Sequence, residues 1–190
     1  MGGCFAVSTK AINKYGVCLL VNASLILKAS SKIIILSLNI PVLLHLYMLK
    51  IDYPSYAFKM KEEEGKEWIW DEVRKKWVRL TPEEWVRQNF IQYLAQQMLY
   101  PLTLMAVEKE IWVNDVKKRC DIVVYQQGSP WMIVECKEMQ VALTETVLRQ
   151  ALTYNMSLPV PYIVITNGLY TAAYSKQGSS LVALTKLPVW

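Results

Sequence analysis

The chain has 190 residues, 53% of them hydrophobic and 19% charged, which suits one ordinary domain with a short appendage and excludes a multidomain motor. Its formal net charge of +5 is unevenly placed: residues 1–47 hold four Lys and no Asp or Glu, leaving 17 basic against 16 acidic side chains from Met48 onward. His45 is the only histidine, so the part from Met48 on is excluded from Ser-His-Asp hydrolysis, Cys-His nucleophiles, His-ligated zinc and nucleases with a His base. No phosphate-binding loop of the Gly-x-x-x-x-Gly-Lys type occurs, and the four cysteines lack C-x-x-C spacing, which points to reduced thiols and a cytoplasmic setting.

In chain order, residues 1–47 come first. Ile33 to Leu49 is apolar, but Ser37, Asn39, Pro41 and His45 interrupt it, so it makes a poor membrane span, and the scattered Lys residues make it a poor signal peptide. The composition break at Met48 leads to the expectation that translation begins there and that 1–47 is not native. The alternative is a weak hydrophobic anchor. Residues 48–80 read as a lead-in segment: Lys59 to Trp70 is charged and aromatic without clear period, and Asp71 to Leu80 reads as a turn and ribbon around Arg74, Lys75 and Lys76.

A helix is then expected from Thr81 as N-cap, with Pro82 at its first position and Glu84 closing a capping box; Val86, Phe90, Tyr93 and Leu94 form its apolar stripe. Strands follow at Ala106–Val113, Arg119–Tyr125 and Trp131–Lys137, a helix at about Thr144–Asn155, a buried strand at Tyr162–Thr166 stopped by Asn167-Gly168, and a last strand at Tyr170–Tyr174. The order α, β, β, β, α, β implies an α/β fold with a mixed sheet, placed at 81–175, with 176–190 as a C-terminal tail. Both faces of the second and third strands are apolar, so they belong at the centre of the sheet.

The chemistry concentrates between Asp121 and Lys137. A hairpin symmetric about Gly128 sets Asp121 opposite Glu135, and Cys120 opposite Cys136 on the other face. Two opposed carboxylates in apolar strands repel each other and call for a cation, for which Mg²⁺, a hard ion with oxygen ligands, is the natural choice. Lys137 projects on the same side as Glu135 and could polarise a water or steady a phosphate. The same residues also read as an ordinary cross-strand charge pattern at a sheet margin.

Asp121 and Glu135-Cys136-Lys137, in this element order, resemble the PD-(D/E)xK nuclease superfamily and its αβββαβ, restriction-endonuclease-like core. Thr81-Pro82-Glu83-Glu84-Trp85-Val86-Arg87-Gln88, Lys118-Arg119-Cys120-Asp121-Ile122, Val134-Glu135-Cys136-Lys137 and Ile165-Thr166-Asn167-Gly168 more closely resemble the N-terminal nuclease domain of type I restriction enzyme R subunits, and in particular small stand-alone bacterial proteins built from it. The resemblance spans roughly residues 62–175. It implies that Asp121 and Glu135 bind Mg²⁺ (or Mn²⁺), that Lys137 assists the attacking water, and that Gln150 and Tyr154 supply a Q-x-x-x-Y element, although four-residue spacing is also that of a packed helix face. Glu83 is favoured over Glu84 as an auxiliary acid because it falls on the side of Val86 and Phe90; compensation of the helix dipole would explain it equally.

The implied function is Mg²⁺-dependent hydrolysis of DNA. The basic runs Arg74–Lys76 and Lys117–Arg119 could position a nucleic-acid backbone, although a short charge run is also what a solvated loop carries. The alternative is a nuclease-fold module that binds nucleic acid or a partner protein without turnover, or that cuts only when recruited. Any motor or target-recognition function would then reside in partner subunits.

Overall fold

The computed structural model describes residues 27–29, 32–34, 48–178 and 180–190. Strands β1 (Leu27–Ala29) and β2 (Lys32–Ile34) form a short antiparallel ribbon. The other expectations for residues 1–47 lie outside the described residues.

The lead-in segment is more regular than its composition suggests. Strands β3 (Met60–Glu63), β4 (Lys66–Asp71) and β5 (Lys76–Arg79) make an antiparallel three-stranded sheet. Glu64 and Gly65 both adopt positive φ (53° and 68°), the backbone a two-residue hairpin turn demands. No clear period marks these strands in the sequence because β3 is exposed at every position, and only β4 alternates, burying Ile69 and Asp71. Trp70 and Trp77 meet edge to face at 5.6 Å between ring centroids.

Helix α1 (Pro82–Gln96) begins as the sequence predicts: the Thr81 hydroxyl accepts from the Glu84 N–H at 3.1 Å, and Pro82 occupies the first helical position. Its buried stripe of Val86, Phe90, Ile91 and Leu94 covers one face of a six-stranded sheet. That sheet runs in sequence order: β6 (Met105–Val113), β7 (Val116–Gln126), β8 (Ser129–Cys136), β9 (Tyr162–Thr166), β10 (Thr171–Gln177) and β11 (Ser180–Leu184). All neighbours are antiparallel except β8 and β9, whose parallel pairing is bridged by helix α2 (Glu145–Ser157). Val147, Leu148, Ala151 and Tyr154 of α2 pack on the opposite face from α1, so the fold is three-layered, helix–sheet–helix, with a mixed sheet covered on both sides.

The domain does not end at 175. Strand β11 extends the sheet, Val182 and Leu187 are buried, and the Tyr100 hydroxyl donates to the Pro188 carbonyl at 2.6 Å, so part of the expected tail is built into the fold. Upstream, Leu49 pairs with Thr171 at the start of β10.

Two irregularities interrupt the central strands. The β7–β8 hairpin turns at Gln127-Gly128 (φ 51° and 76°) and pairs Gln126 with Ser129 and Tyr125 with Pro130, but beyond that Val124 pairs with Met132 and Ile122 with Val134. Trp131 is the extra residue of a β-bulge. It joins Tyr100 and Tyr162 on the α1 side, with centroid distances of 5.7 and 5.0 Å, and not the face of Tyr125 and Ile133 expected from strict alternation.

The second irregularity is at Glu108, whose φ is 54°, beside Asp121. On either side the inward face changes: Val107 and Ile122 lie in the core under α1, whereas Ile111 and Cys120 lie in the core under α2. Cys120 and Cys136 therefore do not face each other, contrary to expectation. They occupy opposite cores as buried free thiols, and burial pushes Cys120 up to about 12 and raises Cys136 as well.

Candidate active site

The bulge at Trp131 decides which residue stands beside Glu135. In the register of the hairpin end, Asp121 would lie level with Val134; the one-residue shift makes Ile122–Val134 the last pair of the ladder, so the next residues along are Asp121 and Glu135. Both carboxylates are buried. Asp121 Oδ2 accepts the Cys136 backbone N–H at 2.6 Å, which ties the end of β8 to the middle of β7.

Glu135 is held on one oxygen only. Its Oε1 accepts from Lys137 Nζ at 2.8 Å and from Gln150 Nε2 at 2.5 Å, while Oε2 is buried without a hydrogen-bond partner. Burial, followed by the Asp121 charge, pushes the Glu135 carboxyl up to about 8, against the opposing pull of Lys137. For Lys137, burial works to lower the pKa, but the hydrogen bond and charge of Glu135 outweigh it and hold the ammonium above its ordinary value. Gln150 also donates to the Tyr154 hydroxyl at 2.8 Å, one turn further along α2, and burial keeps that phenol protonated. Glu135, Lys137, Gln150 and Tyr154 thus form one hydrogen-bonded group, with Asp121 beside Glu135. Glu83 stands at its rim, with a side chain 42% exposed and bonded to Arg87 at 3.2 Å; burial and then the Asp121 charge raise its carboxyl.

Arg87 is the residue to which sequence reasoning gave no role. Its guanidinium is buried against four acids: Asp121 at 2.8 Å, Glu108 at 3.0 Å, Glu83 and Glu84. Burial alone would lower its pKa, and the charges of Asp121, Glu84 and Glu108 raise it instead. Glu84 does not turn back to close the capping box. Its carboxylate accepts from Arg87, from Arg74 and from Gln88 (2.8 Å). Asp71 at the end of β4 collects Arg74 Nε at 2.5 Å, Gln88 Nε2 at 2.8 Å and two backbone N–H groups. The signal in the sequence was Arg87-Gln88 falling within the stripe of Val86, Phe90 and Ile91, since polar groups on a buried face require partners.

The motif Thr166-Asn167-Gly168 supports the loop after Lys137. Lys137 N–H donates to the Thr166 carbonyl at 2.8 Å, and Asn167 Nδ2 donates to the Val141 carbonyl at 2.9 Å while its Oδ1 accepts the Leu169 and Tyr170 N–H groups. Gly168 has φ 86°, and a Cβ there would come within 3.2 Å of Val86 Cγ2.

Among the described residues, no three His, Cys, Asp or Glu side chains are grouped to hold an ion unaided. Two carboxylates, one with an unpartnered oxygen, suit the sparse protein ligation of Mg²⁺, which keeps waters and takes oxygens from a phosphate.

A covered mixed sheet carrying buried acids and a lysine at the end of a central strand defines the class of protein here. Residues 82–188, more than half the chain, match the family described as type I restriction enzyme R protein N terminus, and the chain belongs to that family. The match runs from the first residue of α1 to beyond β11. No curated protein matches the chain.

Proposed function

We propose that this chain is a Mg²⁺-dependent nuclease that hydrolyses phosphodiester bonds in DNA, with a site of the PD-(D/E)xK type. The observation that carries the reading is the Glu135 carboxylate: fixed on Oε1 by Lys137 and Gln150, next to the Asp121 charge, with Oε2 buried and unpartnered. Ionising a buried carboxyl whose oxygen has no donor costs free energy, which is why the group keeps its proton up to about 8 and why a cation in place of that proton would offset the cost. Asp121 and Glu135 would hold Mg²⁺, which when bound supplies Lewis acidity toward a phosphoryl oxygen and the attacking water.

The protein's own groups do the rest. Gln150 and Lys137 fix the orientation of Glu135. The Cys136 N–H fixes Asp121. Lys137, kept protonated, stabilises charge that develops on the phosphoryl oxygens and does not serve as the base. Water oxygen bonds to phosphorus as the bond to the leaving oxygen breaks in line; the attacking water gives up one proton to solvent, and the departing oxygen takes up a proton from solvent.

A second reading, a nuclease-fold module that binds nucleic acid or a partner without turnover, is favoured by the Arg87–Asp121 ion pair, which satisfies Asp121 with no metal. Cleavage of linear, circular and single-stranded DNA by the wild-type chain in Mg²⁺ or Mn²⁺, beside Glu135→Ala and Lys137→Ala, separates the two. Cutting lost in both variants supports the nuclease; absence of cutting by a folded wild type supports the module, with any motor and target recognition supplied by other subunits.

A further inference from the structure

The face switch at Glu108 and Asp121 redirects the basic run Lys117-Lys118-Arg119. Were β7 regular, Lys118 would lie on the α1 face with Ile122 and Val124. Because the inward face changes at Asp121, Lys118 shares the α2 side with Cys120 and with Ile111, its partner across the ladder. There it lines a cleft of about 390 Å³ together with Gln150, Thr153 and Tyr154. The cleft thus runs directly from Gln150, which holds Glu135.

Its donors are specific. Lys117 is paired with Glu110 at 2.7 Å and Arg119 with Glu108 at 2.7 Å, whereas Lys118 between them has no acidic partner among the described residues. The Tyr154 hydroxyl accepts from Gln150 and has no acceptor for its own hydrogen among the described residues, although the ring is buried. The Thr153 hydroxyl is already used on the Arg149 carbonyl. An ammonium and a phenol thus line one small cleft, and neither donates to an acid among the described residues.

We propose that Lys118 and the Tyr154 hydroxyl bind a backbone phosphate of the DNA strand adjacent to the scissile one, setting its register on the Asp121–Glu135 site. This rests on the nuclease reading and adds to it a positioning site on α2 and β7. Lys118 supplies the charge and Tyr154 the directional hydrogen bond, so the site reads the backbone and not the bases.

The test is fluorescence anisotropy with a short single-stranded DNA oligonucleotide in EDTA, which prevents turnover, across a series of KCl concentrations. Each neutralised phosphate contributes about 0.7 to the logarithmic salt slope for single strands. Lys118→Ala is expected to lower that slope by about this amount and Lys118→Arg to restore it, while Lys117→Ala, whose ammonium Glu110 already holds, is expected to leave it unchanged, which narrows the expectation for the basic run to Lys118; circular dichroism checks that the exposed substitutions fold. Tyr154→Phe is expected to weaken binding without altering the slope. Wild-type binding with an unchanged slope in Lys118→Ala, or an equal change in Lys117→Ala, overturns the phosphate site and leaves the nuclease reading standing. A folded wild type that binds no oligonucleotide in EDTA or in Mg²⁺ overturns both.

Discussion

Arg87 Nη2 donates to Asp121 Oδ1 at 2.8 Å, so the acid in the middle of β7 is paired to a guanidinium on α1. The pair is buried on both sides, and Glu84 and Glu108 share the same cation. Removing one member of a buried network leaves the others desolvated and uncompensated. Arg87→Met is therefore expected to cost about 3–5 kcal/mol of unfolding free energy in urea titration. A loss below about 1 kcal/mol would show that the acids are relieved by water or protonation instead.

The raised Glu135 carboxyl predicts how stability depends on pH. A carboxyl whose pKa is 4.5 unfolded and about 8 folded binds more protons in the native state between those values, so stability falls as pH rises through that window. The contribution is fully present below about 4.5 and lost above about 8. Melting temperature of the metal-free protein should fall more steeply over this range for wild type than for Glu135→Gln. Parallel curves for the two would remove the assignment of this shift to Glu135.

Divalent ions should reverse that penalty. Binding to the native state alone stabilises by mass action, about 2.7 kcal/mol at a ligand concentration 100 times Kd. Mg²⁺ or Mn²⁺ is expected to raise the melting temperature of wild type and to lose most of that effect in Asp121→Asn. A full shift in the variant would place the ion elsewhere.

Gly168 gives a prediction about the scaffold. Its φ of 86° disfavours any side chain, and an added Cβ would press on Val86 Cγ2 at 3.2 Å. Gly168→Ala is expected to lower stability by about 1 kcal/mol or more. Adding Val86→Ala should recover little, because the backbone conformation remains strained; recovery to wild-type level would assign the cost to the contact.

Much of this arrangement was legible along the chain. Thr81, Pro82 and the acids after them mark the start of α1, and unbroken apolar runs mark β7 and β8 as central. The pairing of Ile122 with Val134 follows from placing the hairpin centre at Gly128, yet the turn itself is Gln127-Gly128 and the agreement depends on the bulge at Trp131. Nothing in the identity of Trp131 announces a bulge, because a large aromatic suits either face of a covered sheet. The positive φ at Glu108 was equally silent, and with it the separation of Cys120 from Cys136. Arg87 was visible but ambiguous: its four acidic neighbours come from α1, β6 and β7, and only the folded sheet brings them together.

The chain of contacts from Asp71 and Arg74 through Glu84 to Arg87 and Asp121 bears on where this protein can be divided. The family match starts at Pro82, which invites a fragment cut at that residue. Such a fragment keeps both carboxylates and Lys137 but strips Glu84 and Gln88 of the partners that β4 and the turn after it provide. The end of β4 and the turn after it are thus an electrostatic buttress for the family-matched part, and a piece that retains the wiring of Asp121 must begin ahead of Asp71.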